Sequence, residues 1–230
     1  MVNYDTVLRS LPTADLIGPL NDIEAKHAPK VLYWVGDESL LRGTRRVSIV
    51  GTRSPSEDGK HRARQLARRL VGANIVVVSG LAKGIDIQAH RAAIDNGGRT
   101  IAVIGTPLHR AYPKEHTGYQ EEIARDHLLV SEFSPNSKGH RGTFALRNRT
   151  MALISHATVI IEAGKSSGTE SQAWEAIRLG RELFIAQSLL DSGLEWPCKL
   201  AQYGAQVLGK VEDLLEVLPH SLGSKDVSAF

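Results

Sequence analysis

The chain has 230 residues, of which 42% are apolar and 23% charged, a composition typical of globular proteins and too apolar for a disordered chain. No stretch approaches the roughly 20 consecutive apolar residues that span a bilayer, and no secretory pattern opens the chain. The net charge is only +3, from 28 basic and 25 acidic residues, and the single cysteine, Cys198, excludes an internal disulfide framework. These features predict a soluble, cytoplasmic protein.

The predicted elements form a short lead-in followed by one domain. Residues 1–45 carry three prolines and one short apolar run, Val31–Val35, and are predicted to form an arm. From Arg46 onward, short apolar runs rich in valine and isoleucine indicate strands that are buried on both faces. These runs are Val47–Val50, Ile75–Val78, Thr100–Ile104, Leu128–Val130, Thr158–Ile161 and Leu183–Ile185.

Amphipathic segments with a helical period alternate with these strands. Alternation of strands and helices predicts right-handed crossovers, and hence an extended Rossmann-like α/β domain with a mostly parallel sheet and helices on both faces. We expect this single domain to span residues 46–219 and residues 220–230 to form a flexible tail. The helices are predicted at Glu57–Leu70, Ile85–Asn96, Tyr119–Asp126, Phe144–Ser155 and Thr169–Leu179.

Glycine-rich turns follow the first two strands of the domain, at the sheet edge where such folds bind ligands. After the first strand, Gly51 permits a tight turn, Thr52 offers a capping hydroxyl, and Arg53 is a planar donor suited to phosphate. The second turn allows backbone N–H groups to approach an anion at a helix N-terminus. Its residues are Ser79, Gly80, Lys83 and Gly84. The spacing matches neither a dinucleotide fingerprint nor a P-loop, so a conventional nucleotide hydrolase is not expected.

A basic linker, residues 134–143, follows the fourth strand; it contains Arg141 and no acidic residue. Phe144 comes next, at the start of a helix that begins with basic residues. Such a cluster fits a phosphate-tracking groove with a base-stacking platform, although an isolated phenylalanine is also explained as part of the core. The helix residues concerned are Arg147, Asn148 and Arg149.

A third turn, after the fifth strand, is rich in hydroxyls and glycine and predicts a second anion nest near the first. Its residues are Ser166, Ser167, Gly168 and Thr169. Helix capping explains any one of these turns, but three on one sheet edge, beside a basic linker, favour a phosphate site. No catalytic constellation or metal-ligand spacing emerges, so we expect neither an enzyme nor a bound cofactor.

The motifs resemble, in order and spacing, those of the DprA/Smf family of DNA-processing proteins. They are VSIVGTRSPS, VVVSGLAKGIDIQAH, GGRTIAVIGT, YPKE, LLVSEF, FALRNR and TVIIEAGKSSGT. The resemblance extends from about Val31 to Phe184 and concerns the core domain of that family. We therefore expect neither the helical domain nor the winged-helix module often found beside this core.

The resemblance implies a protein that binds single-stranded DNA in a basic pocket, forms a homodimer, and loads a RecA-type recombinase in natural transformation and recombination. It implies that Arg53 contacts phosphate, that Arg141 is a basic DNA contact, and that Phe144 stacks on a base. It also implies an anion site and a pocket rim formed by Ser79, Gly80, Lys83, Gly84, Asn148, Arg149 and residues 166–169.

Two alternatives stay open at this point. One is a nucleotide- or nucleoside-binding enzyme or sensor related to the LOG-type phosphoribohydrolases. Their Gly-Gly-x-Gly-Thr turn, followed by a glutamate, is matched only in part by Ser167–Glu170. The other is an interaction module of recombination or defence machinery. Hydrolysis of a nucleoside monophosphate, or its competition with an oligonucleotide, distinguishes the first alternative from DNA binding.

Overall fold

Nine strands in the described part of the chain form one mixed sheet. The structure, a computed structural model, describes residues 2–138, 142–164 and 168–219. The strands are β1 (Arg9–Pro12), β2 (Val31–Gly36), β3 (Arg45–Gly51), β4 (Ile75–Ser79), β5 (Thr100–Val103), β6 (Leu128–Ser131), β7 (Ala157–Glu162), β8 (Glu182–Ala186) and β9 (Gln206–Leu208). Their order is β1-β2-β6-β5-β4-β3-β7-β8-β9. Strands β3 to β9 are mutually parallel, and β2 is antiparallel to both β1 and β6.

Helices cover both faces of this sheet. They are α1 (Tyr4–Val7), α2 (Thr13–Ile17), α3 (Asp22–His27), α4 (Glu57–Gly72), α5 (Ile85–Asp95), α6 (Thr117–Asp126), α7 (Thr143–Ile154), α8 (Gly168–Arg178), α9 (Gln187–Leu190), α10 (Glu195–Ala201) and α11 (Val211–Val217). Short 3₁₀ turns occupy Glu38–Leu41 and Lys114–His116. Within the three described ranges, none of the helices has the length and apolar character needed to cross a membrane.

The predicted fold class, an α/β domain with a mostly parallel sheet, is confirmed. The six predicted strands coincide with β3 to β8, and the five predicted helices with α4 to α8. Every residue of β4, β5 and β6 is buried, which explains why these strands read as continuous apolar runs. Strand β9 and helices α9 to α11 lie in the part of the sequence where no element was predicted.

Apolar core clusters lie on both faces of the sheet, because successive strand residues point to opposite faces. Ile49 of β3 belongs to the cluster that Leu70 of α4 helps to form. Its neighbour Val50 belongs to the cluster on the other face, with Met151 of α7 and Ala173 of α8. The sheet therefore lies between α4 and α5 on one side and α7 and α8 on the other.

The residues that precede β3 add an antiparallel ribbon to the sheet. The apolar run Val31–Val35 lies in β2, and Leu32 and Trp34 are buried there. Arg181 forms an ion pair with Glu24 of α3, which ties this segment to the far end of α8. No local sequence pattern indicates that β2 pairs with β6, which lies far away in the chain. The boundary between arm and domain at residues 45 and 46 stays a prediction.

The order of the strands reverses at β3. From β3 the chain proceeds through β4 and β5 to β6 on one side, and β7, β8 and β9 then lie on the other side. At such a reversal the connecting segments leave in opposite directions, which opens a crevice outside the carboxyl ends of the two central strands. The fold therefore locates a ligand site at the ends of β3 and β7.

Two histidines, the buried His90 and the partly buried His156, make the stability of this fold sensitive to acid. Burial lowers the pKa of His90 to about 3 and that of His156 to about 4, and nearby positive groups add to both effects. Below the ordinary histidine pKa the unfolded chain takes up protons that the folded chain refuses, so stability falls as the pH drops from about 6.5. Between its pKa in the folded chain and the ordinary value, each histidine is expected to change the free energy of unfolding by about 1.4 kcal/mol per pH unit.

The His156→Asn variant checks this expectation. In the native chain the Arg46 backbone N–H donates to His156 Nδ1 at 3.0 Å, and the asparagine side chain keeps an acceptor for this hydrogen bond. Urea unfolding between pH 4.5 and 7, a range chosen from the ordinary histidine pKa, should give a flatter pH slope for this variant than for the native chain. The exposed His61, replaced in the same way, is the control. An unchanged slope in His156→Asn would contradict the argument.

Candidate nucleic-acid interface

Two adjoining cavities open at the carboxyl ends of β3, β4 and β7. Their volumes are about 370 and 60 Å³, and they share Arg53, Ala82, Phe144 and Arg147. Together they are called the strand-end crevice. The larger cavity is further lined by Val50, Gly51, Thr52, Ser54, Asp86, Asn148, Met151, Gly164, Gly168, Thr169 and Gln172. The smaller is further lined by Gly80, Lys83, Gly105, Thr106, Tyr112 and Pro113.

The turn between β3 and α4 is held by Glu162, at the end of β7. The Thr52 N–H donates to the Glu162 carbonyl at 2.7 Å. The Ser56 N–H and hydroxyl donate to the two Glu162 carboxylate oxygens at 2.9 and 2.6 Å. Gly51 has no space for a side chain, since a Cβ would lie 2.5 Å from Ile85 Cγ1. The fixed backbone leaves Arg53 exposed at the mouth of the crevice.

The turn between β4 and α5 packs directly against the first turn. Gly84 has a φ of +82°, and a Cβ there would lie 2.2 Å from the Thr52 carbonyl oxygen, so only glycine fits. The buried Ser79 donates its hydroxyl to the Ile49 carbonyl at 2.6 Å, a bond that supports the sheet. Lys83 is about half exposed, lines the smaller cavity, and forms an ion pair with Glu115.

Arg147 forms the floor of the crevice. Only 6% of this residue is exposed, and its Nη1 donates to the Val103 carbonyl at 3.1 Å and lies 4.0 Å from Asp86 Oδ2. Burial lowers the pKa of Arg147 and raises that of Asp86, while the opposite charge of each partner counteracts both shifts. Gly80 makes room for the guanidinium, since a Cβ there would lie 1.4 Å from Nη1.

An aromatic pair forms one wall of the crevice. The rings of Phe144 and Tyr112 lie 5.3 Å apart between centroids and are tilted by 46°. The Arg53 guanidinium carbon lies 5.7 Å from the centroid of Phe144, a cation–π distance. Phe144 also packs on Gly105, where a Cβ would approach its ring to 2.8 Å. Tyr112, which is 53% exposed, offers a second ring beside the basic groups.

Helix α7 directs its polar residues to different sides. Asn148 faces the larger cavity, and its amide donates to the Gly168 carbonyl at 3.1 Å. Arg149 instead points at α8, where Nε lies 3.0 Å from a Glu175 carboxylate oxygen. Glu175 also pairs with Arg178 at 2.5 Å. The charge of Arg149 is thus engaged away from the crevice.

The crevice brings together most of the residues that the sequence singled out. Ser79, Gly84 and Arg149 do not line it, although the first two support the turns that do. Arg141, Ser166 and Ser167 lie outside the described residues. The singled-out residues that line it are Gly51, Thr52, Arg53, Gly80, Lys83, Phe144, Arg147, Asn148, Gly168 and Thr169.

Several lining residues were missed as site residues, among them Tyr112, Asp86 and Gln172. Tyr112 belongs to the YPKE motif, and an aromatic residue so close to a lysine is a sequence signal that could have indicated a nucleic-acid contact. Asp86 carries no local indication of its charge partner, because that partner, Arg147, lies 61 positions away in the sequence. Gln172 lies on α8, and nothing in its neighbourhood in the sequence marks it as facing a cavity.

Comparison with known proteins places these features in a family. The family model of DNA recombination-mediator protein A matches residues 15–219. The DNA processing protein DprA of Bacillus subtilis is 38% identical over 192 residues, which make up 83% of this chain and 65% of that relative. The chain thus spans just under two thirds of the length of this relative.

Two solved structures share the fold at substantial identity. DNA processing protein A from Streptococcus pneumoniae gives a TM-score of 0.81 at 34% identity, covering 93% of this chain and 75% of that chain. The protein from Helicobacter pylori, whose structure addresses its single-stranded DNA binding mode, gives 0.76 at 32% identity, covering 91% and 94%. The family model, the relatives and the shared fold agree, and the chain belongs to the DprA/Smf family of DNA-processing proteins.

Proposed function

We propose that this protein is a DNA-processing protein that binds single-stranded DNA in the strand-end crevice. The observation that carries the proposal is the convergence of three cationic side chains and two aromatic rings on one crevice at the strand ends. These are Arg53, Lys83, Arg147, Phe144 and Tyr112. A chain of phosphates needs the cations, and unpaired bases need ring surfaces on which to stack.

The position of Phe144 in the strand-end crevice favours binding of a single strand over binding of a duplex. Phe144 is recessed between Arg53 and Gly105, so a base must leave its helical stack to reach the ring. A single strand has bases free to do so, whereas a duplex must first be unpaired at a cost of a few kcal/mol. Membership of the DprA/Smf family, and the single-stranded DNA binding mode addressed in the Helicobacter pylori structure, support the same substrate.

The wider role follows from the family resemblance. In this proposal the protein acts in the cytoplasm without catalysing a reaction, forms a homodimer, protects incoming single strands, and loads a RecA-type recombinase onto them in transformation or recombination. Family membership favours this role over the nucleotide-cleaving alternative. A nucleoside monophosphate should accordingly be neither hydrolysed nor an effective competitor of an oligonucleotide.

Arg53→Ala is the direct test of the phosphate contacts. Because each phosphate contact on a single strand contributes about 0.7 to the slope of log affinity against log salt concentration, the variant should lower the magnitude of that slope by about 0.7. The measurement is a salt titration of oligonucleotide binding by fluorescence anisotropy, with a single strand and the matching duplex.

Arg9→Ala is the matched control for this test. Arg9 is also exposed, pairs with Glu38 at 3.0 Å, and lies on β1 at the edge of the sheet. The control removes the same formal charge far from the crevice and should keep the native slope. A native slope in Arg53→Ala, or equal affinity for single strand and duplex in the unaltered protein, would count against the proposed function.

A further inference from the structure

The exposed side of helix α4 carries more positive charge than its surroundings neutralise. Five arginine and lysine side chains lie between Lys60 and Arg69, and the sequence has no acidic residue from Gly59 to Ile85. Three of the five form ion pairs with carboxylates outside that stretch, namely Lys60 with Glu57, Arg62 with Glu162, and Arg69 with Glu212. The other two, Arg64 and Arg68, are exposed, and no carboxylate of the described residues forms an ion pair with either.

Arg64 and Arg68 lie one helical turn apart, so their side chains share one side of α4. Like charges at this spacing repel each other and are unfavourable for a helix. Arg64 Nη1 donates to the Gln88 side-chain oxygen at 2.7 Å, a bond to a neutral amide that directs the guanidinium without cancelling its charge. The two arginines therefore present a local positive charge that an anionic ligand would neutralise.

Both arginines line a cavity of about 300 Å³, called the α4–α5 groove, between residues His61–Arg68 of α4 and Ala92, Asp95 and Asn96 at the end of α5. Apart from Ala92, the side chains that line it in the described part of the chain are polar or charged, and none is aromatic. Protein partners usually anchor an aromatic or aliphatic side chain in an apolar pocket, which this groove lacks. Its lining fits a phosphate backbone, which is held by charge and hydrogen bonds.

The two arginines form a row that leads away from the strand-end crevice. Helices α4 and α5 both start at the carboxyl edge of the sheet, shortly after the turns that carry Arg53 and Lys83. Gln88, the partner of Arg64, lies in the first turn of α5, and Arg68 lies about 6 Å further along the axis of α4. A strand that leaves the crevice between these helices therefore passes Arg64 first and Arg68 second.

We propose that the α4–α5 groove holds phosphates of the bound single strand outside the crevice, with Arg64 and Arg68 as the contacts. The proposal rests on the proposed function and deepens it, since it adds a second, electrostatic segment to the binding site. Guanidinium groups suit this role because they donate two parallel hydrogen bonds to one phosphate. The contact is independent of base sequence and requires a strand long enough to extend beyond the crevice.

A length series separates the groove from the crevice. Homothymidine strands of about 4 to about 24 nucleotides are titrated by fluorescence anisotropy into the native chain and the Arg64→Gln/Arg68→Gln variant. The shortest strands that bind occupy the crevice and should bind both proteins equally. For the longest strands the variant should lower the magnitude of the salt slope by about 1.4, since each phosphate contact contributes about 0.7. This change corresponds to a roughly 25-fold loss of affinity at about 0.1 M salt that vanishes near 1 M.

Two further double variants make this test specific. Arg64→Lys with Arg68→Lys keeps both charges and should keep most of the native slope. Arg9→Gln with Arg125→Gln removes two exposed charges that line a different cavity, beside β2, and should keep the native length dependence. Glutamine is a good helix former and removes the like-charge repulsion, so the thermal midpoint of Arg64→Gln/Arg68→Gln should not fall.

The outcomes distinguish the groove from the crevice. Native affinity of Arg64→Gln/Arg68→Gln for long strands would overturn the proposal and point to a different anionic partner, such as an acidic protein. An equal loss for short and long strands would also overturn it, because the effect would then not depend on the strand leaving the crevice. Failure of the unaltered protein to bind any strand would instead contradict the proposed function.

Discussion

Replacement of Arg147 by methionine is expected to lower the free energy of unfolding by about 3–5 kcal/mol near neutral pH. Arg147 supplies the positive charge next to Asp86, which is only 5% exposed. Methionine fills much of the volume of the arginine but leaves the Asp86 carboxylate without a counter-charge. Chemical denaturation of the native and variant chains at several pH values measures the effect.

The pH dependence and a second substitution separate this cause from a packing defect. Since burial already raises the pKa of Asp86, loss of Arg147 should raise that pKa further. The defect should then shrink as the pH is lowered, because a protonated carboxyl needs no counter-charge. Asp86→Asn combined with Arg147→Met should recover most of the lost stability. A defect that is independent of pH and persists in the double variant would show that packing causes the loss.

Substitution of Phe144 by alanine is expected to weaken single-stranded DNA binding by about 1–3 kcal/mol, or roughly 5- to 150-fold. The ring lies between Tyr112 and the Arg53 guanidinium, and it is the aromatic surface common to both cavities. Because Phe144 carries no charge, the salt slope of binding should stay close to the native value. Oligonucleotide titrations at two salt concentrations check both parts of this expectation.

Two further variants make the stacking test specific. Phe144→Trp keeps a stacking surface and should retain binding, whereas Phe144→Leu keeps the apolar volume without the ring and should bind like the alanine variant. Tyr203→Ala removes an aromatic that packs on Trp174 at 5.1 Å between centroids, away from the crevice, and should have no effect. Native affinity in Phe144→Leu would indicate that Phe144 serves packing alone.

Much of the fold could be predicted from local pattern. Strands buried on both faces, such as Ile75–Ser79, are apolar at every position, and helices such as Glu57–Gly72 repeat their buried residues with a helical period. The order of these elements leads to a parallel sheet, and the glycine turns then mark its carboxyl edge. By contrast, β9 has only three residues, of which two are exposed, and carries no such pattern.

The site could be predicted in its turns but not in its pairings. The predicted cluster at α7 contains two arginines that the structure directs to separate carboxylates, Arg147 to Asp86 and Arg149 to Glu175. Which arginine faces the crevice depends on the rotation of α7 against the sheet, and that rotation follows from packing between distant segments. The orientation of Gln172 depends on the same kind of contact and has no local indication.

Strand β2 shields the outer side of β6 along four residue pairs, from Tyr33 and Ser131 to Gly36 and Leu128. Without it, the backbone N–H and C=O groups of the apolar β6 would be available to the backbone of another molecule. With β2 in place, the edge strand on this side of the sheet is β1. This strand is short, fully exposed and ends at Pro12, so it is a poor template for pairing with a strand of another molecule. Deletion of the residues ahead of β3 would therefore turn a protected sheet margin into one prone to aggregation.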